Sequence, residues 1–445
     1  MSNPIQLRRA VASSFIGSVI EYYDFLLYAT ASAVVFSKVF FSNLDPLVAT
    51  VASLGTFATG YLARPIGGVV FGHFGDRLGR KRMLVMTMVL MGVASFLIGV
   101  LPTYEQAGVL APIALVLLRI VQGVAVGGEW GGAVLMSAEH ATGHATARRG
   151  LWASFTNAGA PFGMVLSTGA LSGTAAVLGN DAFLAWGWRV PFLISIVLLA
   201  IGLFVRTRVE ETPVFSAALK EKVSRAPLMD VLRDQPRTLL LGVGVGLAAF
   251  VAQGTLTTFL IAYGVQSGFE RQTVLNGLTL SSGLAVVGIL GWSALSDRVG
   301  RRPVVITGAL IMAVYAFVLF PLVDSGSAAL LTIALILGQS IIHPLMYGPL
   351  AALYTELFST RSRYTGASLG YQLAGLGAGL APVLFAQIMA SSGGGGTFIV
   401  SAVIAAACLL AVACTLALKE TSRGDLTADT APGAVAGVTG APSQR

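Results

Sequence analysis

The chain has 445 residues, 55% of them apolar and 11% charged, with a mean hydropathy of +0.80. Soluble domains carry about 25% charged residues, so this composition excludes an ordinary soluble enzyme or binding module and points to a polytopic membrane protein. The net charge of +8 would suit a nucleic-acid partner, but its placement excludes one: Lys38 and Arg271 fall in loops of one side, Arg64, Arg119 and Arg189 in or beside apolar runs, and the rest in alternate loops and both tails. That is the positive-inside pattern, which places both termini in the cytoplasm and makes the number of crossings even.

In chain order, apolar runs recur at residues 12–36, 48–72, 83–101, 109–138, 150–173, 187–206, 238–263, 273–294, 303–322, 327–354, 364–389 and 397–418. Each is long enough to cross a bilayer, so the expected fold is all-α with twelve transmembrane helices. The first run contains Glu21 and Asp24 and is too long for a signal-peptide core, so it is expected to be retained. A mixed-charge stretch, 207–237, divides the chain into six-helix halves, 1–206 and 238–423. Residues 424–445 form an Ala/Gly/Thr-rich tail that is expected to be disordered. Cys408 and Cys414 both lie in the last run and suggest neither a disulfide framework nor a metal site. No phosphate-binding loop, metal-ligand cluster or nucleophile–base spacing is present. The expectation is therefore a protein that is not an enzyme, has no cofactor, and sits in the lipid bilayer, as a monomer, with a small-molecule partner.

Two basic turns mark the repeat. The segment Gly72-His73-Phe74-Gly75-Asp76-Arg77-Leu78-Gly79-Arg80-Lys81-Arg82 lies between the second and third runs. A weaker copy, Ser293-Ala294-Leu295-Ser296-Asp297-Arg298-Val299-Gly300-Arg301-Arg302, lies between the eighth and ninth, with Asp297 placed 221 residues after Asp76. Glycines that break helices and clustered cations that need water or lipid phosphate predict tight cytoplasmic turns. Gly72, Asp76, Arg77, Gly79, Arg80, Asp297, Arg298 and Arg301 are the expected gating residues, acting through salt bridges and helix-end charges. Other echoes follow: Glu139 before Arg148-Arg149-Gly150 matches Glu356 before Arg361 and Arg363, and Glu210-Glu211-Thr212 matches Glu420-Thr421. Gly159-Ala160-Pro161-Phe162-Gly163 and Gly375-Leu376-Gly377-Ala378-Gly379 carry small-xxx-small spacing, which predicts close helix packing.

The informative residues are the ionisable ones inside apolar runs, since each costs about 2.5–3.5 kcal/mol at the bilayer centre. Glu21, Asp24 and Tyr28 share one helical face, as do Arg119, Gln122, Val126 and Glu129, and as do Gln339, His343 and Tyr347. Three polar stripes predict a shared cavity. A carboxylate there gains or loses a proton as a nearby Arg moves away or is neutralised by an anion, which couples proton and substrate by linkage. Asp24, Glu21, Arg119 and Glu129 are the expected proton-coupling residues. Tyr28, Gln122, His343 and Tyr347 are expected to face substrate, although His343, just before Pro344, has the alternative of satisfying a freed carbonyl. Arg189 is expected to anchor at the interface beside Trp186 and Trp188 in an aromatic belt.

The two basic turns resemble the signature loop of the major facilitator superfamily, with Ser293 departing from the usual Gly. Arg119-Ile120-Val121-Gln122-Gly123 resembles the Arg-x-x-Gln-Gly motif of its proton-coupled members, and the resemblance implies pairing of that Arg with an acid on helix one, the kind of position Asp24 occupies. Ile20-Glu21-Tyr22-Tyr23-Asp24-Phe25, Ala63-Arg64-Pro65-Ile66-Gly67, Gly127-Gly128-Glu129-Trp130-Gly131-Gly132, Trp186-Gly187-Trp188-Arg189-Val190-Pro191-Phe192 and Arg363-Tyr364-Thr365-Gly366 are similar to segments of the metabolite:proton symporter family. That family includes permeases for α-ketoglutarate, citrate, shikimate and proline/betaine, which share a carboxylate. The resemblance implies two pseudo-symmetric halves, proton-coupled import of a small organic acid or zwitterion by alternating access, a bacterial inner-membrane location, and Arg64 as the carboxylate partner. A proton-coupled exporter of drugs or metabolites is the alternative; its Gly-Pro motif is matched imperfectly, with departures at Ala160 and Met164.

Overall fold

The computed structural model describes residues 4–78, 80–141, 148–207, 227–359, 362–393 and 395–422. Expectations that fall on Gly79, Glu210-Glu211-Thr212, Arg361 and the tail 424–445 lie outside the described residues, as do those that rest on the side chains of Asp76, Arg77, Arg80 and Glu139. Twelve long helices account for most of the rest: α1 Pro4–Val34, α2 Pro46–Leu78, α3 Arg80–Gly99, α4 Leu110–Ala141, α5 Arg149–Leu178, α6 Phe183–Thr207, α7 Pro236–Gln266, α8 Arg271–Val299, α9 Arg301–Asp324, α10 Ala328–Leu357, α11 Arg363–Ser391 and α12 Thr397–Ala417. Eleven are long and apolar enough to cross a membrane. The exception is α2, which carries Arg64 and six glycines and lies between α4 and α11. No strand occurs among the described residues.

Helix packing repeats after six helices. In the first half α1 lies on α5, α2 on α4 and α3 on α6; in the second α7 lies on α11, α8 on α10 and α9 on α12. Two seams join the halves, α2 against α11 and α5 against α8, and these too are related by the six-helix shift. An even number of crossings brings both chain ends to one face, together with the basic turns; it is called the basic face below.

The basic turns are tighter than expected. Gly72 and Gly75 do not break α2, which runs on to Leu78. They are contact points instead: a Cβ on Gly72 would lie 3.5 Å from Thr365 of α11, and one on Gly75 3.4 Å from the Tyr364 ring. In the second copy α8 runs through Ser293 and Asp297 to Val299, and only Gly300, at φ +103°, turns the chain. That left-handed value is strained for any residue with a Cβ.

Small residues set the close approaches. A Cβ on Gly127 of α4 would run into the Arg64 carbonyl, and one on Gly123 into the Gly60 carbonyl, so α2 and α4 meet backbone to backbone. Gly159 and Gly163 do the same for α5 on α1, where added Cβ atoms would sit 2.6 Å from Ser18 Cβ and 2.7 Å from the Tyr23 nitrogen. Lipid offers no hydrophobic drive between helices, so this contact is what holds them. Widened π-turns interrupt α6 at Phe183–Gly187, α7 at Thr255–Phe259 and α10 at Ile336–Ile342. The last ends just before Pro344, whose missing N–H frees a carbonyl one turn back.

Gly127→Val drives a branched side chain into backbone that cannot yield, at a cost of about 3 kcal/mol. It is expected to remove most of the monodisperse protein seen by size exclusion in detergent. Gly291→Val on α8, where an added Cβ meets nothing within 4 Å, leaves the elution profile unchanged.

Candidate functional site

The site is built where α1, α2 and α4 of the first half meet α10 and α11 of the second. Arg64 on α2 is fully buried. Its Nε donates to Gln372 Oε1 of α11 at 2.8 Å, and Gln372 Nε2 donates to the Gly127 carbonyl of α4 at 3.0 Å. The guanidinium lies 4.9 Å from the Tyr61 ring and 5.1 Å from the Phe25 ring, while Nη1 and Nη2 have no hydrogen-bond partner. Close by, three buried tyrosine hydroxyls share hydrogen bonds across the halves: Tyr347–Tyr371 at 2.8 Å, Tyr22–Tyr371 at 3.1 Å and Tyr22–Tyr347 at 3.2 Å. Trp130 of α4 stacks on Tyr371 at 3.5 Å with the rings 8° apart. Its Nε1 donates to Asn157 Oδ1 at 2.9 Å, and Asn157 Nδ2 donates to the Tyr347 carbonyl at 2.8 Å. A buried cation with two free donors, beside adaptable hydroxyls and a flat aromatic wall, suits a small carboxylate-bearing molecule.

A second group lies deeper in the first half. Ser195 of α6 donates to Asp24 Oδ1, and Ser95 of α3 lies near the same carboxylate without a hydrogen bond to it. Gln122 Nε2 donates to Ser95 Oγ at 2.7 Å, and Arg119 Nη1 donates to Gln122 Oε1 at 3.0 Å. Arg119 is therefore tied through Gln122 to Ser95, beside Asp24, and is not paired with Asp24 directly. The Arg119 guanidinium instead faces the Phe25 ring at 3.8 Å and the Tyr28 ring at 4.2 Å, contacts worth about 2 kcal/mol or more when desolvated. Tyr28 donates to Thr56 Oγ1 at 2.7 Å and forms part of this aromatic seat rather than of the tyrosine cluster.

Glu129 is ion-paired with Arg206 at the end of α6, and Glu21 is buried with both oxygens unpartnered. His343 stacks on Tyr347 at 5.1 Å, and its Nε2 lies 3.1 Å from the Ala249 carbonyl of α7, a partner on another helix. With Tyr347 and Gln339 it lines a small cavity of about 20 Å³, room for about one water. Gln339 Nε2 is held by Ser282 Oγ at 2.7 Å.

The basic face is closed across the α5–α8 seam. Asp297 Oδ1 and Oδ2 accept from the backbone nitrogens of Gly150 and Leu151 at 2.7 and 3.0 Å, capping α5 from the opposite half. Arg301 Nη1 reaches Asp297 at 2.7 Å, and its Nη2 lies 3.3 Å from Glu356, which also faces Arg149 at 3.4 Å. Glu420 accepts from the backbone nitrogens of Arg301 and Arg302 at 2.9 and 3.1 Å. Burial pushes its carboxyl up, but these donors and that of Ser422 outweigh it and hold it below the usual glutamate value. Tyr364 of α11 completes the closure by donating to the Gly128 carbonyl of α4 at 2.6 Å. On the opposite face a cavity of about 300 Å³ opens between α2, α7 and α11, bordered by Leu54, Phe259, Tyr263 and Met389. Arg298, by contrast, is exposed at the edge of the lock.

A sequence model described as Major Facilitator Superfamily matches residues 14–375 and 278–439. The chain belongs to the major facilitator superfamily. It is 39% identical over 424 residues to the shikimate transporter of Escherichia coli (strain K12), covering 94% of this chain and 95% of that one. It is 40% identical to an inner membrane metabolite transport protein of the same organism, YhjE, covering 92% and 94%, and 34% identical to the proline/betaine transporter of Salmonella typhimurium (strain LT2), covering 87% and 79%. Among solved structures, the xylose transporter XylE from E. coli in a partially occluded inward-open form superposes with a TM-score of 0.72 at 19% identity, over 93% of this chain and 98% of that one; at that identity the likeness concerns the fold. The protein is a multi-pass membrane transporter of metabolites and not an enzyme.

Of the residues singled out in the sequence, Arg64 and Tyr347 come together at the transporter's centre with His343 beside them, Arg119 is bonded to Gln122, and Asp24 is bonded to Ser195 instead. Tyr22, Tyr371, Gln372, Asn157, Ser95, Ser195 and Arg206 were not singled out. Tyr22 and Trp130 lay within quoted segments, but Arg206 looked like an ordinary basic helix end. Trp188, expected in an interfacial belt, is fully buried against Phe36, Phe40 and Phe192, whereas Trp186 is half exposed. Arg189 donates to the Leu101 carbonyl at 3.0 Å and lies 4.4 Å from the Trp188 ring.

Asp297→Ala removes the cap on α5 and one of the two acids that face Arg301, Glu356 remaining. Losing the two charge-assisted bonds across the seam costs about 3 kcal/mol, on the order of a hundredfold in the ratio of closed to open basic face. Spin labels at Thr207 and Val299 are expected to shift toward longer separations in this variant; an unchanged distance distribution would show that the cluster does not hold the face shut.

Proposed function

We propose that this transporter is a proton-coupled symporter that imports a small organic acid or zwitterion by alternating access. The observation that carries the reading is Arg64: fully buried at the junction of the halves, with two terminal nitrogens free and three tyrosine hydroxyls nearby. A guanidinium with both Nη groups free offers a carboxylate two parallel hydrogen bonds. Shikimate, proline and betaine, after which relatives of the chain are named, each carry a carboxylate. In this reading the basic face is cytoplasmic, both termini lie there, the membrane is the bacterial inner membrane, and the working unit is one chain.

The cycle follows from the two faces. Substrate enters from the opposite face while the Asp297–Arg301–Glu356–Arg149 cluster is intact. Its carboxylate displaces Gln372 from Arg64 and its remaining polar groups take over hydrogen bonds of Tyr22, Tyr347 and Tyr371. Since Gln372 ties Arg64 to α11 and Trp130 rests on Tyr371, occupancy alters contacts that cross between the halves. Asp24, bonded to Ser195, is the acid through which protons pass to and from the buried set, and Arg119, bonded to Gln122, has no acid partner among the described residues. Glu21 and Glu129 belong to the same buried set, and the two basic turns act as the gate.

The test is uptake by proteoliposomes of a labelled panel containing shikimate, citrate, α-ketoglutarate, proline and glycine betaine, with and without an inward proton gradient. Gradient-driven accumulation of one compound, abolished by a protonophore, is the expected result. Arg64→Ala is expected to reduce that accumulation by at least about tenfold, the loss of one charge-assisted bond, and Asp24→Asn to abolish it while exchange persists. Normal accumulation by either variant removes that residue from the mechanism, and acidification-driven efflux of cationic dyes without uptake of the panel turns the reading toward an exporter.

A further inference from the structure

The buried charges of the first half form two sets. In one, Asp24 is bonded to Ser195, and Arg119 to Gln122, which reaches Ser95 beside Asp24. In the other are Glu21, Glu129, Arg64 and Arg206, all at most 4% exposed. The charged groups that face Glu21 are Glu129 from α4, Arg64 from α2 and Arg206 from α6. On its own helix Asp24 is one turn away, and α3 and α5 offer hydroxyls rather than charges at this depth, such as Ser95 and Thr156. With all four members of the second set ionised, two acids face two cations and the set is balanced.

The members are not equivalent. Arg206 is committed to Glu129, and the position is enforced by Gly17 of α1, where any Cβ would run into the guanidinium. Glu21 lies one helical turn beyond Gly17 and accepts no hydrogen bond on either oxygen. Its remaining counter-charge is Arg64, whose free nitrogens are those a substrate carboxylate would engage. Substrate and Glu21 therefore compete for one cation. Once a carboxylate occupies Arg64, three negative groups share two positive ones in a site closed to solvent, and one of the three must be neutralised.

We propose that Glu21 takes up one proton each time a carboxylate occupies Arg64, while Arg206 keeps Glu129 ionised, so that the charge moved per cycle is that of the substrate plus one. The proton comes from water at the open face, forms an O–H bond on a Glu21 oxygen, and returns to water when the carboxylate leaves Arg64 on the other side. A monocarboxylate anion then crosses without net charge, and a zwitterion carries one positive charge inward. The inference rests on the assignment of Arg64 to the substrate carboxylate, and it adds the identity of the proton acceptor and the stoichiometry.

Part of the test needs no substrate, because removing the Arg64 charge imitates its occupation. Infrared spectroscopy of the purified, lipid-reconstituted transporter at neutral pH should show one more protonated carboxyl in Arg64→Gln than in the unaltered protein. The added band should vanish in the Arg64→Gln/Glu21→Gln double variant and remain in Arg64→Gln/Asp24→Asn. No added band, or one that survives the loss of Glu21, overturns the proposal. With shikimate and glycine betaine as transport probes, Glu21→Gln should exchange the accepted probe across the membrane yet fail to accumulate it on a proton gradient. Accumulation by Glu21→Gln equal to that of the unaltered protein sinks the proposal and leaves symport standing. Absence of gradient-driven accumulation of the panel by the unaltered protein counts against symport itself, whatever the infrared result.

Discussion

The structure depends on one electrostatic constraint: an ion in an apolar interior has to be matched. The idealised cost of moving an unpaired carboxylate or ammonium into such a medium is on the order of 20 kcal/mol, still several after relaxation. The first half nevertheless buries Glu21, Asp24, Glu129, Arg64, Arg119 and Arg206. Six such groups are tolerable because the acids and cations are equal in number and are spread over four helices, α1, α2, α4 and α6. The glycines follow from this. α2 and α4 meet backbone to backbone at Gly60, Gly67, Gly123 and Gly127, and that contact brings Arg64 and Arg119 inside and leaves room for their long side chains. Gly60 and Gly17 each lie directly on a guanidinium, Arg119 and Arg206 respectively.

The second half is built differently at the same depth. Its buried polar groups near the centre are His343, Gln339, Gln253, Gln372 and the hydroxyls of Tyr347 and Tyr371, which donate and accept without a fixed charge. Six-helix repetition thus survives in packing and in the basic turns, while charge chemistry is confined to one side. A rocking motion between the halves then moves neutral groups past charged ones and breaks no ion pair at the centre. Among the described residues the ion pair that crosses between the halves, Arg149–Glu356, lies instead at the basic face, where water can solvate each partner as the seam opens. Asp297 is well suited to that place, since the backbone nitrogens it caps at the start of α5 lose a carboxylate and gain water.

Much of this was legible in the chain. Twelve apolar runs, two basic turns half a chain apart, and acids spaced to share a face of α1 follow from periodicities that lipid imposes directly. The glycines of the basic turns misled, because a Gly that breaks a helix and a Gly that lets a neighbour approach look alike in sequence; Gly72 and Gly75 are of the second kind. Arg206 was hidden for a related reason: a cation at the end of an apolar run satisfies the positive-inside pattern whether its side chain reaches lipid phosphate or turns inward to Glu129. Trp188 behaves likewise, since its place at a helix end suited a belt while Phe36, Phe40 and Phe192 enclose it. The hydroxyls of Ser95 and Ser195 carry no periodic signal, and only the folded chain brings them to Asp24.

The lock and the central site set limits on each other. Shifting a two-state equilibrium from 1:99 to 99:1 takes about 5.5 kcal/mol of differential binding, and a small carboxylate has few contacts from which to draw it. A basic face held by many independent buried ion pairs across the seam would exceed that range and trap the protein. The arrangement avoids this by sharing: Glu356 serves both Arg301 and Arg149 at 3.3–3.4 Å, longer than an ideal charge-assisted bond, and Asp297 divides its oxygens between Arg301 and two backbone nitrogens. The contacts that cross the seam, Arg149–Glu356 and the two backbone bonds to Asp297, release together when α5 and α8 part, while Arg301 keeps Asp297 and Glu356 within its own half. Balance at the centre matters for the same reason. A net buried charge in either the empty or the occupied state adds an electrostatic cost to that state, so a change of occupancy is least costly when the proton taken up offsets the charge brought in.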